Sequence, residues 1–250
     1  LDGDYWQICT SNADVRRIII ESVVNNDKYD IVSISPNDGY QFCECEDCTS
    51  QDLPGDEMIM NSKVYPRLSE RMWEYANLIA KKVNERSAEK GVGMFAYTFY
   101  SKPPKTIKKF EPNLYISHTM MAAHMCTKES MEWFENIVDE WHSHEASMIA
   151  RDYWGTWYFL NLPFVQVDEI KKLMPWLFKK GYVGFYGEVG KDFSNQFPTY
   201  YLLTKLMWDP NSDSDEILNE LYKRTYGPAA NYMKDYWQTL HDAWSDNYFN

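Results

Sequence analysis

The chain has 250 residues, enough for one large domain with a sizeable core. It carries 37 Asp and Glu against 25 Lys and Arg, a net charge of −12, with a pI near 4.9. That balance argues against nucleic acid, whose phosphates need a basic footprint, and against an anionic membrane surface. No apolar run approaches the roughly 20 residues of a membrane span.

The predicted elements alternate regularly. The opening LDGDYWQICTSN has neither an initiator Met nor a signal-peptide pattern. It reads as a strand (Trp6 to Thr10) entered from upstream, so a fragment or processed chain is expected. A helix follows from about Asn12 to Asn25, then a β-branched strand from Asp30 to Ser35 that stops at Pro36-Asn37-Asp38-Gly39. A cysteine-rich loop leads into a long helix, Tyr65 to Ser87, with apolar spacing at Leu68, Met72, Tyr75, Ile79 and Val83. Strands are predicted at Val92 to Phe99, before the Pro103-Pro104 breaker, and at Leu114 to His118. An amphipathic helix (Lys128 to His142), a strand (Ser147 to Tyr153), a helix capped at Gly181 (Val167 to Lys180) and a strand (Tyr182 to Tyr186) come next. From Asp213 the chain reads as helix, broken once at Gly227-Pro228.

Strands alternating with helices mean βαβ units and a parallel sheet. With no glycine-rich fingerprint after the first strand, the alternation favours a (β/α)8 TIM-type barrel lacking its first two strands over a doubly wound sheet. Residues 1–210 are read as the catalytic barrel and 211–250 as a helical extension packed on it.

In such a barrel, chemistry sits just past the strand carboxyl ends. The candidates there are Asn37 and Asp38, Tyr97 and Tyr100, His118, then Asp152, Tyr153 and Trp154, and finally Glu188. Carboxylates from different strands suit glycoside hydrolysis, which needs a proton donor and stabilisation of an oxocarbenium-like centre. Asn37-Asp38 also fits a substrate-assisted variant, Asp38 as general acid and Asn37 holding a 2-acetamido group. Pro-Asn-Asp-Gly is equally ordinary turn chemistry. Asp152 reads alternatively as a salt-bridge partner of Arg151 or another base, and His118 as a hydrogen-bonded structural residue. Trp154, Trp157 and Tyr158 form either a sugar platform or a buried cluster. Aromatics at 16% of an acidic chain fit sugar binding, where flat rings stack on pyranose faces.

Cys43-x-Cys45-x2-Cys48 has spacing suited to tetrahedral zinc, with Cys126, Cys9 or His124 as the fourth ligand. A disulfide and free thiols are the alternatives. We rank a structural metal on Cys43, Cys45, Cys48 and Cys126 first, with no cofactor for catalysis.

The runs SPNDGYQFCECEDC, QICTSN, RDYW, GFYGE and LMWDPNSD…YGPAA together resemble a bacterial domain family catalogued as of unknown function. Some of its members are classified as glycoside hydrolase family 163, endo-β-N-acetylglucosaminidases acting on complex N-glycans. The resemblance covers nearly the whole chain from Gln7, and SPNDG with CxCxxC is its most specific part. It implies a hexosaminidase-type (β/α)8 barrel in an extracellular, periplasmic or cell-surface protein, retaining configuration through an oxazoline intermediate. By position, Asn37-Asp38 falls where related hexosaminidases place an acetamide-orienting residue followed by the acid. Those relatives usually have Asp-Glu or Asp-Asp there, with Asn-Glu also known.

The expectation is therefore a glycosidase cleaving β-linked N-acetylglucosamine in oligosaccharide or glycoprotein glycans. An exo-glycosidase or α-glucuronidase-like enzyme pairing Asp38 with Glu188 is the alternative, and a non-catalytic carbohydrate-binding barrel another.

Overall fold

A computed structural model describes residues 6–60, 62–120, 128–153, 165–189 and 193–248. The candidates Trp154, Trp157, Tyr158, His124 and Cys126 lie outside the described residues. In chain order the elements are α1 (Ala13–Val24), β1 (Ile31–Ser33), α2 (Glu46–Thr49), β2 (Glu57–Met60) and β3 (Lys63–Pro66). Then come α3 (Ser69–Asn84), β4 (Gly91–Ala96), β5 (Leu114–Thr119), α4 (Lys128–His142) and β6 (Ser147–Asp152). The last are α5 (Val167–Lys179), β7 (Gly184–Gly187), α6 (Phe197–Trp208), α7 (Ser214–Tyr226) and α8 (Ala230–Tyr248).

The main sheet has five strands in the order β1-β4-β5-β6-β7. The pairs β1 with β4 and β4 with β5 are parallel, with Ile31 opposite Gly91 and Ala96 opposite His118. This corrects the expected (β/α)8 barrel: the protein is α/β, with a five-stranded parallel half-barrel sheet whose edges are β1 and β7. Alternation of elements fixes the parallel sense of the strands, whereas closure needs a full set with matched shear and tilt. After β7 the described chain supplies helices, α6 to α8.

The expected first strand is reduced to a single bridge from Trp6 to Gln41. Gln7 explains the loss of a backbone ladder. Its side-chain amide satisfies Asn37 in both directions, accepting from Asn37 N at 3.1 Å and donating to Asn37 O at 2.5 Å. An antiparallel hairpin of β2 and β3 was not expected; it takes the first residues of the predicted 65–87 helix, which begins at Ser69.

The chain forms two compact units, Leu1–Thr119 with Asn136–Ile149, and Met120–Glu135 with Ala150–Asn250. In the first, Leu68, Met72, Tyr75, Ile79 and Val83 on one face of α3 are all buried against the sheet side of the fold. Trp73 and Trp141 are fully buried and meet edge to face at 4.8 Å. Their indole N–H groups donate to Tyr100 O and Ser101 O at 3.0 and 3.2 Å. The core thereby fixes the backbone just beyond β4. Glu70, buried on α3, accepts from Lys105 N and from the backbone and hydroxyl of Thr106, tying down the next loop.

In the second unit α5 packs on α6, and α7 on α6 and α8. Ile170, Leu173, Leu177, Leu202 and Leu206 are buried there. Gly181, at φ +81°, ends α5 as a left-handed stop that a side chain would strain. No helix among the described residues is long and apolar enough to cross a membrane.

Candidate functional site

Two groups of residues meet where β1 ends. The first is the pair Asn37-Asp38. Ile34 N still bonds Gly93 O at 2.8 Å, and Ser35 Oγ then accepts from Phe95 N at 3.0 Å, so the ladder runs up to Pro36. Proline cannot donate to a ladder and ends the pairing there. Gly39, at φ +132°, turns the chain immediately after Asp38.

Asn37 is fixed at three atoms. Gln7 takes its backbone N–H and carbonyl, and its side-chain Nδ2 donates to Trp6 O at 3.2 Å. A backbone carbonyl only accepts, so this contact assigns Nδ2 inward and leaves Oδ1 as the acceptor face of the amide. Asp38 is exposed and forms no ion pair among the described residues. Its charge reaches the buried Tyr100 phenol, whose pKa is pushed up chiefly by burial, then by Asp38 and Tyr97. The structure thus brings Asp38, Tyr97 and Tyr100 together at the carboxyl ends of β1 and β4.

An aromatic bed lies beside them. Tyr40 stacks on Tyr65 at 5.8 Å and meets Phe99 edge-on at 5.6 Å; Phe42 meets Phe99 at 5.7 Å and Tyr100 at 6.3 Å. Tyr40 and Trp6 nonetheless stay 54% and 57% exposed, on the segments that carry or hold Asn37-Asp38. Neither was singled out from the sequence, because their roles depend on the pairing of residues 6–7 with 37–41. His118, at the end of β5, is buried, and burial lowers its pKa to about 4, so it is a neutral imidazole near pH 7.

The remaining candidates lie in the second unit. Glu188 is ion-paired with Arg151, and its N–H donates to Asp152 O at 2.9 Å. Its carboxyl is thus already engaged by a buried guanidinium. Asp152 is buried and accepts from Tyr153 N at 2.6 Å, and Arg151 is ion-paired with Glu188. The Arg151 guanidinium also lies over the Tyr153 ring at 4.5 Å.

The second group at the β1 end is a cluster of four thiols. Cys9, Cys43, Cys45 and Cys48 place their sulfurs within 4.8 Å of one another. Cys9 Sγ is 3.7 Å from both Cys45 Sγ and Cys48 Sγ. Among the described residues Cys9 completes a set of four, one of the three fourth ligands the sequence offered; Cys126 lies outside them. A short helix, α2, carries Cys48 one turn after Cys45, its N-cap. Arg71, buried on α3, donates to Cys43 O at 2.7 Å and meets Asp52 at 3.1 Å, anchoring the loop to the core. Burial raises the Cys48 thiol, but contacts with Ser11 and Thr10 and their neighbours outweigh it and bring its pKa to about 6. Cys45 is lifted to about 12, first by its contact with Cys43, and burial raises Cys9. Four sulfurs this close cannot all ionise without a cation.

The fold and these placements define an α/β protein with polar and aromatic residues gathered at the carboxyl end of a parallel sheet, the edge at which such sheets bind ligands. The chain belongs to the family described as Domain of unknown function (DUF4838), which matches residues 2–238. No curated protein matches it.

Proposed function

We propose that the β1–β4 strand ends form a glycan-processing site that hydrolyses β-linked N-acetylglucosamine with assistance from the substrate's own acetamido group. The observation that carries this reading is the fixed Asn37 amide. With Nδ2 held by Trp6 O, Oδ1 presents one oriented acceptor beside an exposed carboxyl, Asp38. An acetamido N–H donating to that oxygen turns its carbonyl oxygen toward the anomeric carbon. The carbonyl oxygen attacks the anomeric carbon, the glycosidic oxygen leaves with the Asp38 proton, and an oxazolinium ion forms whose nitrogen keeps its hydrogen, bonded to Asn37 Oδ1. Water then adds to the anomeric carbon while the Asp38 carboxylate takes its proton, restoring acid and acetamide with retained configuration. Asp38 is exposed, so the water exclusion this chemistry requires comes from the bound sugar, which Tyr40 and Trp6 are placed to cover.

The two-carboxylate alternative, Asp38 with Glu188, has less support because Glu188 is engaged by Arg151. A second reading, binding without turnover, is favoured by one feature: Asn37 is neutral, so it orients an acetamide without stabilising positive charge on an oxazolinium. A substrate on the cell exterior, and hence an exported location, goes with either reading.

The test is incubation with complex N-glycans and chromogenic N-acetylglucosaminides, wild type beside Asp38→Asn. Loss of the acid should reduce turnover by about 10²–10⁴-fold with the fold intact. Undiminished hydrolysis by Asp38→Asn would remove Asp38 from the role. Tight glycan binding with no product from the wild type would establish the binding-module reading instead.

A further inference from the structure

We propose that Cys9, Cys43, Cys45 and Cys48 form a closed, structural zinc site that clamps the segment bearing Asn37 and Asp38. A zinc–sulfur bond of about 2.3 Å sets the sulfurs of a regular tetrahedron about 3.8 Å apart. The Cys9–Cys45 and Cys9–Cys48 separations are both 3.7 Å, and all four sulfurs fit within 4.8 Å. A disulfide would draw one pair to about 2.05 Å, and the four are free thiols.

Packing does not account for the gathering. Cys48 alone of the four is buried; Cys45 is exposed, and Cys9 and Cys43 are half-buried. Polar groups instead line the buried sulfur, with Thr10 Oγ1 3.7 Å from Cys48 Sγ. Ser11 Oγ lies 3.2 Å from Cys48 Sγ. Such outer hydrogen bonds orient metal ligands and support the charge they carry. Soft thiolates select zinc over calcium or magnesium, and four protein ligands leave no open position for water, so the site supports structure and not hydrolysis.

Its position gives the metal a specific task. The ligands come from two segments, Cys9 from one and Cys43 to Cys48 from the other. The same segments meet through the Trp6–Gln41 bridge, the Gln7–Asn37 pair, and Ser11 Oγ donating to Asp47 O at 3.0 Å. The metal closes one end of this seam and Asn37 lies at the other. Loss of the metal should free residues 36–48 while α3, β4 and β5 remain folded around Trp73 and Trp141.

Metal content is read without any substrate, so this proposal stands or falls apart from the glycan reading. The whole chain, purified under reducing conditions without chelator, should contain one zinc per chain by elemental analysis. After zinc removal by chelation, cobalt(II) should bind with the ligand-field and thiolate charge-transfer absorption of a tetrahedral four-sulfur site. Cys9→Ser and Cys45→Ser should lose the metal and Cys126→Ser should keep it. Chelation should raise hydrogen exchange at residues 36–48 without raising it in α3. A wild-type protein that holds no metal and shows no tetrahedral cobalt spectrum would overturn the proposal, and the wild-type readings decide should the variants fail to fold. So would iron in place of zinc, a disulfide among the four by mass, or metal retained by Cys9→Ser and lost by Cys126→Ser.

Discussion

Asp168 and His241 make the second unit's stability depend on pH in a way that can be worked out in sign and size. Asp168 lies in the first turn of α5, where the helix dipole favours a negative charge. His241 on α8 is buried, with Nε2 3.2 Å from Asp168 Oδ2 and Nδ1 donating to Val165 O at 3.0 Å. Both ring nitrogens thus face acceptors, the arrangement of an imidazolium. The Asp168 hydrogen bond is the main cause of a His241 pKa raised from 6.5 to about 9, against the opposing effect of burial. The same bond, ahead of burial, lowers Asp168 from 3.8 to about 2.

Unscreened, the rise at His241 is worth about 3 kcal/mol and the fall at Asp168 about 2 kcal/mol. They describe one interaction and are not added. The smaller figure is the better guide, because the Asp168 side chain is 40% exposed and also shared with Lys171 at 3.5 Å. Solvent screening brings the contribution to about 1–2 kcal/mol. His241 has the raised pKa, so its share is complete below pH 6.5 and disappears as pH rises through about 9. Asp168 has the depressed one, so its share is complete above 3.8 and disappears as pH falls toward 2. Asp168→Asn should therefore cost about 1–2 kcal/mol near pH 5.5, and the gap to wild type should narrow by about pH 10 to what the Lys171 contact and the helix dipole contribute. Urea unfolding of both proteins at pH 5.5, 7, 8.5 and 10 measures it. Glu169, 3.9 Å from Nδ1, and Lys171 both persist in the variant and set a common background. A gap constant across that range, or one that widens with pH, would refute the assignment.

Arg71→Leu should destabilise the first unit by about 3 kcal/mol, because it strands Asp52, whose carboxyl burial already pushes upward and Arg71 holds down. A cost under about 0.5 kcal/mol in chemical denaturation would show the pair to be inert. Gly91→Ala should cost about 1–3 kcal/mol, since a Cβ there would lie 2.8 Å from Tyr115 Cε2 and 2.9 Å from Ile31 Cγ1, pressing β4 off both neighbours. An unchanged melting temperature would mean that Tyr115 swings clear at no cost.

Elements whose signal is periodic were legible. The spacing Leu68, Met72, Tyr75, Ile79, Val83 predicts the buried face of α3, and Asn12 caps α1 by accepting from Asp14 N and Val15 N. Helix α6 gave no such signal: FPTYYLLTKLMW is apolar on most sides, so no face stands out. The hairpin turns through Ser62 at φ +61°, a conformation that its residue type does not announce. Barrel closure was illegible for a deeper reason. Local alternation sets what each strand pairs with, while closure depends on the edges, and nothing in the sequence of β1 or β7 states whether another strand lies beyond.

The same distinction governs the site. Asn37-Asp38 could be found because a strand that ends at proline exposes whatever follows it, a local rule that holds in open and closed parallel sheets alike. Cys45 and Cys48 could be found because one helical turn relates them. Trp6 and Gln7 could not, since they stand some thirty residues upstream and join only through tertiary pairing, and for the same reason spacing left Cys9 as one of three candidates for the fourth ligand, behind Cys126. Yet those three decide what the local motif can do. Gln7 occupies the backbone of Asn37, Trp6 O orients its amide, and Cys9 completes the sulfur set. A turn held at one end samples many amide orientations; one held from across the fold presents a single acceptor. If Asn37 orients a substrate, its capacity to do so therefore resides as much in residues 6–9 as in Asn37 itself. Gln7→Ala should accordingly impair any acetamide-dependent activity without touching a group that contacts the sugar.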